Sequence, residues 1–185
     1  MNIFVISTKL KTMENQASSK SIILNYGLYL GIISILISVV VYAMGNHVQP
    51  HWSVSVISIV AMITLIIMAM KKFKYENGNY MSWGEAVKIG VGLTIISTVI
   101  IIAYNLIFMN FVEPDFLQQV AAVQEQNWVD QGMSGEQIEA AKEMMQKFQG
   151  PVISSAFGLV VAAFISFIIS AIAGAVMKNS AEEQY

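Results

Sequence analysis

Cysteine is absent from the 185 residues. No disulfide, thiol nucleophile or thiolate-bound metal is therefore available, and a long loop must hold its shape by packing. Charge is also scarce, at 12% of residues against about 25% in ordinary soluble domains. The formal net charge of −2 is too small to suggest a nucleic-acid partner. Glycine-rich phosphate loops, nucleophile elbows and the His-Glu-x-x-His pattern are missing, so no catalytic, cofactor-binding or metal residue is expected. His47 and His51 have the spacing of a helical metal pair, but Pro50 interrupts them and no acid lies nearby in sequence, so they read as loop histidines.

What the chain has in abundance is apolar length. Residues 22–44, 54–70, 86–108 and 152–177 form four runs whose only charged side chain is Lys88, one turn inside its end. At about 1.5 Å per residue, helices of these lengths cross a hydrocarbon core of roughly 30 Å. The expected fold is all-α, a polytopic membrane protein with one four-helix transmembrane domain over residues 21–180. Residues 1–20 read as a flexible amino-terminal segment, with Met13 an alternative start and no signal-peptide core. Eight lysines fall before span one, between spans two and three and after span four, and only Lys142 and Lys147 fall on the other side. The positive-inside rule then places both termini in the cytoplasm, in an inner membrane.

The connection before span four, residues 111–150, is acidic: seven carboxylates against two lysines give it a net charge of −5. Its pattern predicts an extracytoplasmic helical hairpin. Pro114 suits the first helical position and Gly132 the first stop. Ser134 stands three before Gln137, a capping-box spacing that opens the second helix. The connection between spans two and three mixes cations, aromatics and a turn. Asn77-Gly78 predicts a tight reversal, with positive φ at both, and Ser82 with Glu85 predicts the cap of span three. Phe73, Tyr75, Tyr80 and Trp83, with Trp52 at the opposite face, read as interfacial aromatics.

Phe73-Lys74-Tyr75 followed by Gly78-Asn79-Tyr80-Met81-Ser82-Trp83-Gly84-Glu85-Ala86-Val87-Lys88-Ile89-Gly90 resembles the signature of the domain-of-unknown-function 4199 family of bacterial membrane proteins. The layout of four spans with an acidic helical insertion before the last is similar as well. The resemblance implies an inner-membrane protein of unassigned role and carries no catalytic residue.

Small residues form stripes at helical spacing. They are Gly27, Gly31, Ser34 and Ser38 in span one, Gly90 and Thr94 in span three, and Ser154, Gly158, Ala162, Ser166, Ser170 and Gly174 in span four. Such stripes let helix backbones approach closely, within one bundle or between copies. With no ionisable residue at mid-span to mark an ion path, the leading expectation is a non-catalytic protein. It would associate with itself or with another envelope membrane protein, with the lipid bilayer as its solvent. The alternative is a small-solute transporter or channel subunit.

Overall fold

The computed structural model describes residues 19–148 and 150–179. The expected flexible segment lies outside these residues except for Ser19 and Lys20, which open the first helix. The described residues are all-helical, without a strand: α1 Ser19–Ala43, α2 Trp52–Glu76, α3 Trp83–Ile107 continued by a π-helical turn Phe108–Val112, α4 Phe116–Asp130, α5 Gly135–Phe148 and α6 Pro151–Met177. Helices α1, α2, α3 with its π turn, and α6 are each long and apolar enough to cross a membrane. Leu36, Ile57, Phe164 and Val176 are among many large apolar side chains left exposed on them, an apolar girdle that water would penalise and lipid does not.

Two boundaries differ from the sequence reading. Helix α2 runs past Met70 to Glu76 because lysines near a span end extend their charge to the interface without breaking the helix. Lys72 pairs with Glu76 one turn on at 2.8 Å, and the first breaker is the turn beyond. There Gly78 and Asn79 hold φ of 64° and 69°, whereas Asn77 stays at −98°. The left-handed pair thus sits one residue later than expected, and the Asn77 and Asn79 amides close the helix end on the Phe73 and Lys74 carbonyls. Pro114 is the other difference. It sits in a turn before α4, which begins only at Phe116.

Helix α3 is the centre of the bundle, packed mainly on α1 and α6, while α2 packs chiefly on α1. Burial is concentrated in the half of the bundle near the 77–82 loop. Ile66, Ala69, Met70, Met81, Ala86, Ile89 and Leu93 are fully enclosed there, and Phe73 is 3% exposed, a core residue instead of an interfacial one. Small residues make that density possible. A Cβ at Gly27 would lie 2.7 Å from Ile96 Cβ, one at Gly31 3.0 Å from Ile100, and one at Gly174 2.7 Å from Ala86 Cβ. One at Gly90 would fall on Ser170 Oγ.

The span-four stripe is therefore divided. Ser166, Ser170 and Gly174 are buried against neighbours, but Gly158 has no heavy atom within 4 Å of a built Cβ, and Ser154 is exposed. Gly158 is thus not a close-approach position, a correction to the expected unbroken stripe: α6 diverges from α3 toward its start. Span one divides likewise. Gly27 and Gly31 are buried, Ser34 is half-buried and Ser38 exposed, and both hydroxyls donate to carbonyls four residues back, at 2.8 and 3.0 Å.

The 77–82 loop fastens the tight end. Met81 and Asn179 exchange backbone hydrogen bonds of 3.0 and 2.9 Å, and Asn179 Nδ2 donates to the Asn79 carbonyl. Lys74 Nζ donates to the Met177 carbonyl at 2.9 Å, where a cation suits the exposed carbonyls of a helix end. Trp83 Nε1 donates to the Ala171 carbonyl at 3.0 Å. Ser82 and Glu85 form a reciprocal capping box, Ser82 Oγ accepting from the Glu85 amide and Glu85 Oε2 accepting from the Ser82 amide at 2.8 Å. Ser82→Ala should cost about 0.5–2 kcal/mol and Ser82→Asp much less. Thermal unfolding of both variants checks this, and equal damage would mean the hydroxyl does something other than cap.

Candidate functional site

At the opposite end the helices splay, and the gap is lined with polar and aromatic groups. A cavity of about 400 Å³ lies between α1, α2 and α3 and is bordered by Tyr42, His47, Tyr104, Asn105, Phe108 and Phe116. It shares Ile37, Val41 and Val54 with a crevice of about 620 Å³ between α1 and α2. On its other side it shares Ser34, Ser58 and Ile101 with a space of about 390 Å³ that reaches Gly158 and Ala162. The open half of the span-four stripe thus lines a gap.

The rim is built by the π turn. One extra residue per turn at Phe108–Val112 lets the Glu113 amide bond the Phe108 carbonyl at 2.9 Å, an irregularity frequent at functional sites. Phe108 is 9% exposed and sits among rings: Tyr42 at 5.2 Å, Phe116 at 5.7 Å, Tyr104 at 6.0 Å and His47 at 6.3 Å between centroids. His47 also meets the Tyr42 ring edge-on at 4.9 Å and stacks on Phe116 at 5.9 Å.

His47 Nε2 lies 2.7 Å from Glu113 Oε2, with side-chain exposures of 18% and 16%. The contact is too oblique to count as a directional hydrogen bond, and His47 Nδ1 is buried with no hydrogen-bond partner. At that separation two bare lone pairs would repel, so a neutral ring would carry its proton on Nε2, which leaves Nδ1 an acceptor. Glu113 Oε1 accepts from Gln119 Nε2 at 2.8 Å. His47 and then Gln119 hold the Glu113 carboxyl below its ordinary value of 4.5, against the opposing effect of desolvation.

A depressed carboxylate stabilises the fold above its unfolded pKa, and that contribution disappears as pH falls through the folded value. Wild type should therefore melt above Glu113→Gln at neutral pH, and the gap should close as the pH falls below 4.5 and through the lowered folded value. A gap independent of pH would show that the pair contributes nothing through charge.

Beyond this contact, α4 and α5 form an acidic pair without a buried residue. Gly132, at φ 76°, ends α4 with the Met133 amide on the Trp128 carbonyl, and Ser134 with Gln137 makes the second capping box. Lys142 bridges to Glu125 at 2.9 Å, which raises the lysine pKa.

His51 caps α2, its Nδ1 accepting from the Ser53 amide at 3.4 Å. Trp52 is 70% exposed at that helix start, while Tyr80 and Trp83 flank the other end. No group of three His, Asp or Glu able to hold a metal occurs among the described residues. The expected packing residues thus fall in two sets: Gly27, Gly31, Gly90, Thr94, Ser166, Ser170 and Gly174 are buried, and Ser34, Ser38, Gly158 and Ala162 line the gap. The His47–Glu113 contact was invisible to sequence reading, since nothing periodic links a loop after span one to the end of span three.

Several residues of the signature between Gly78 and Gly90 build the tight end: Met81, Ala86, Ile89 and Gly90 are buried, Ser82 and Glu85 cap α3, and Trp83 bonds the Ala171 carbonyl. A family model described as a protein of unknown function, DUF4199, matches residues 25–179. The chain belongs to the DUF4199 family. No curated protein and no solved structure matches it. This DUF4199 chain is an integral membrane protein of unassigned role, and the buried part of its most distinctive motif serves intramolecular packing.

Proposed function

We propose that this DUF4199 protein is a non-catalytic accessory protein of the inner membrane that acts by binding, with the splayed end and its acidic helix pair facing out of the cell. The observation that carries this is the asymmetry of packing. One end is committed to its own core and fastened by the 77–82 loop, while the other leaves a gap and two helices without buried residues. The lysine asymmetry supports cytoplasmic termini. Transport is less well supported, because the gap lies at one end and Ile66, Met70, Ile89, Leu93, Ser166 and Ser170 are fully buried in the bundle beyond it.

Reporter fusions active only outside the cytoplasm should be silent at Tyr185 and active when inserted at Gly132, and the reverse would overturn the orientation. For association, photocrosslinkers at Val129 and Met144, both more than half exposed, should trap one protein, or a second copy, in constant ratio. Tyr75, exposed at the tight end, should not. Labelling spread over many abundant proteins would remove the association reading, and solute flux in liposomes holding only this chain would favour transport.

A further inference from the structure

We propose that the splayed end is a binding site for a single-chain amphiphilic amine that enters from the bilayer. Its ammonium group would rest in the aromatic rim and its apolar chain in the crevice between α1 and α2. The inference needs only the gap, not an envelope partner.

Four observations converge on this chemistry. His47 lines the cavity, and its buried Nδ1 lacks a partner. In the neutral ring, with its proton on the Nε2 that faces Glu113, Nδ1 is an acceptor that an N–H donor would satisfy, and a buried acceptor left alone is costly. Tyr42, Tyr104, Phe108 and Phe116 present rings around the same space, and aromatic faces attract ammonium groups. The charge at the mouth has one dominant sign: Glu113 sits at the rim and the 111–150 connection carries −5. That field draws cations in and turns away anionic headgroups.

Shape supplies the last constraint. The crevice continuing from the cavity includes Leu36, Val40 and Ile57, each exposed by more than half to the lipid side. A molecule can therefore slide in sideways from the membrane, and a slot between two helices suits one chain. An apolar cleft with a few convergent polar groups at one end is how small-molecule sites are generally built.

The test uses the full chain in nanodiscs of phosphatidylcholine and dodecylamine carrying a diazirine at the end of its alkyl chain. Saturable labelling of peptides containing Leu36, Val40 or Ile57 is expected, competed by dodecylamine about tenfold or more better than by dodecyl phosphate, the scale of one charge-assisted hydrogen bond. Dodecyltrimethylammonium, which keeps the charge but has no N–H, and dodecanol, which keeps a donor but no charge, should each fall between. His47→Phe retains a ring and removes the acceptor, so it should erase the advantage of dodecylamine over dodecyltrimethylammonium. Glu113→Gln should weaken both cations and leave dodecanol unchanged, a pattern that unfolding would not produce.

Non-saturable labelling spread over Phe164 and Val176 would mean simple partition into lipid and would overturn the proposal. So would equal competition by the amine and the phosphate, or cross-links across the crevice joining two copies of the chain. None of these outcomes depends on whether an envelope partner exists.

Discussion

Met81→Ala is expected to lower stability by about 2–5 kcal/mol, the cost of emptying a fully buried site that cannot collapse. Met81 has no solvent exposure, although it lies in a loop between two spans. Its backbone is held from both sides by Asn179, and it is enclosed with the same core as Phe73, Ala86 and Ile89. The loss should be local to the tight end. Hydrogen exchange at the Asn179 amide, which donates to the Met81 carbonyl at 2.9 Å, should accelerate in step with the fall in thermal stability. Met81→Leu conserves volume and should cost less than about 1.5 kcal/mol. Wild-type stability of Met81→Ala would mean that the loop merely covers the bundle and does not fasten it.

The spans were legible in sequence because lipid demands long uninterrupted apolar runs, and nothing else in a chain of this size produces four of them. The caps at Ser82 and Ser134 were legible because a capping box is a local pattern, complete within four residues. The end of α2 was misjudged because Lys71, Lys72 and Lys74 read as loop, whereas a helix ends where its backbone is broken, at Gly78 and Asn79. Contacts between distant elements left no trace. Lys74 on the Met177 carbonyl, Trp83 on the Ala171 carbonyl and His47 against Glu113 each join residues whose separation in sequence carries no period. The stripes were half legible, since i,i+4 spacing tells which residues share a face but not how far along that face a neighbour stays close.

That distinction sets Gly90 against Gly158. Gly90→Leu should destabilise the bundle by about 1–3 kcal/mol or more, because overpacking displaces a backbone or a buried side chain, whereas Gly158→Leu should be close to neutral. At Gly90 even a methyl group meets Ser170 Oγ, with Ser170 Cβ 2.8 Å and Ile66 Cγ2 3.2 Å away. The ordinary gain of about 1 kcal/mol in helix propensity from Gly to Ala is therefore outweighed. Ser170 is fully buried and its hydroxyl has no hydrogen-bond partner, so nothing polar anchors it apart from its own packing. Combining Gly90→Ala with Ser170→Gly removes both nearest atoms and should restore part of the loss, with a coupling of about 0.5–3 kcal/mol, the range for residues in contact. Ile66 remains, so recovery should be incomplete. At Gly158 the added side chain enters open space within a span, where an apolar residue is tolerated or slightly favoured. Thermal unfolding in mild detergent of the two singles, the double and Gly158→Leu decides the matter. If Gly90→Ala melts with wild type, or Ser170→Gly rescues nothing, then α3 and α6 do not meet at this pair and the tight end of the bundle is held by other contacts.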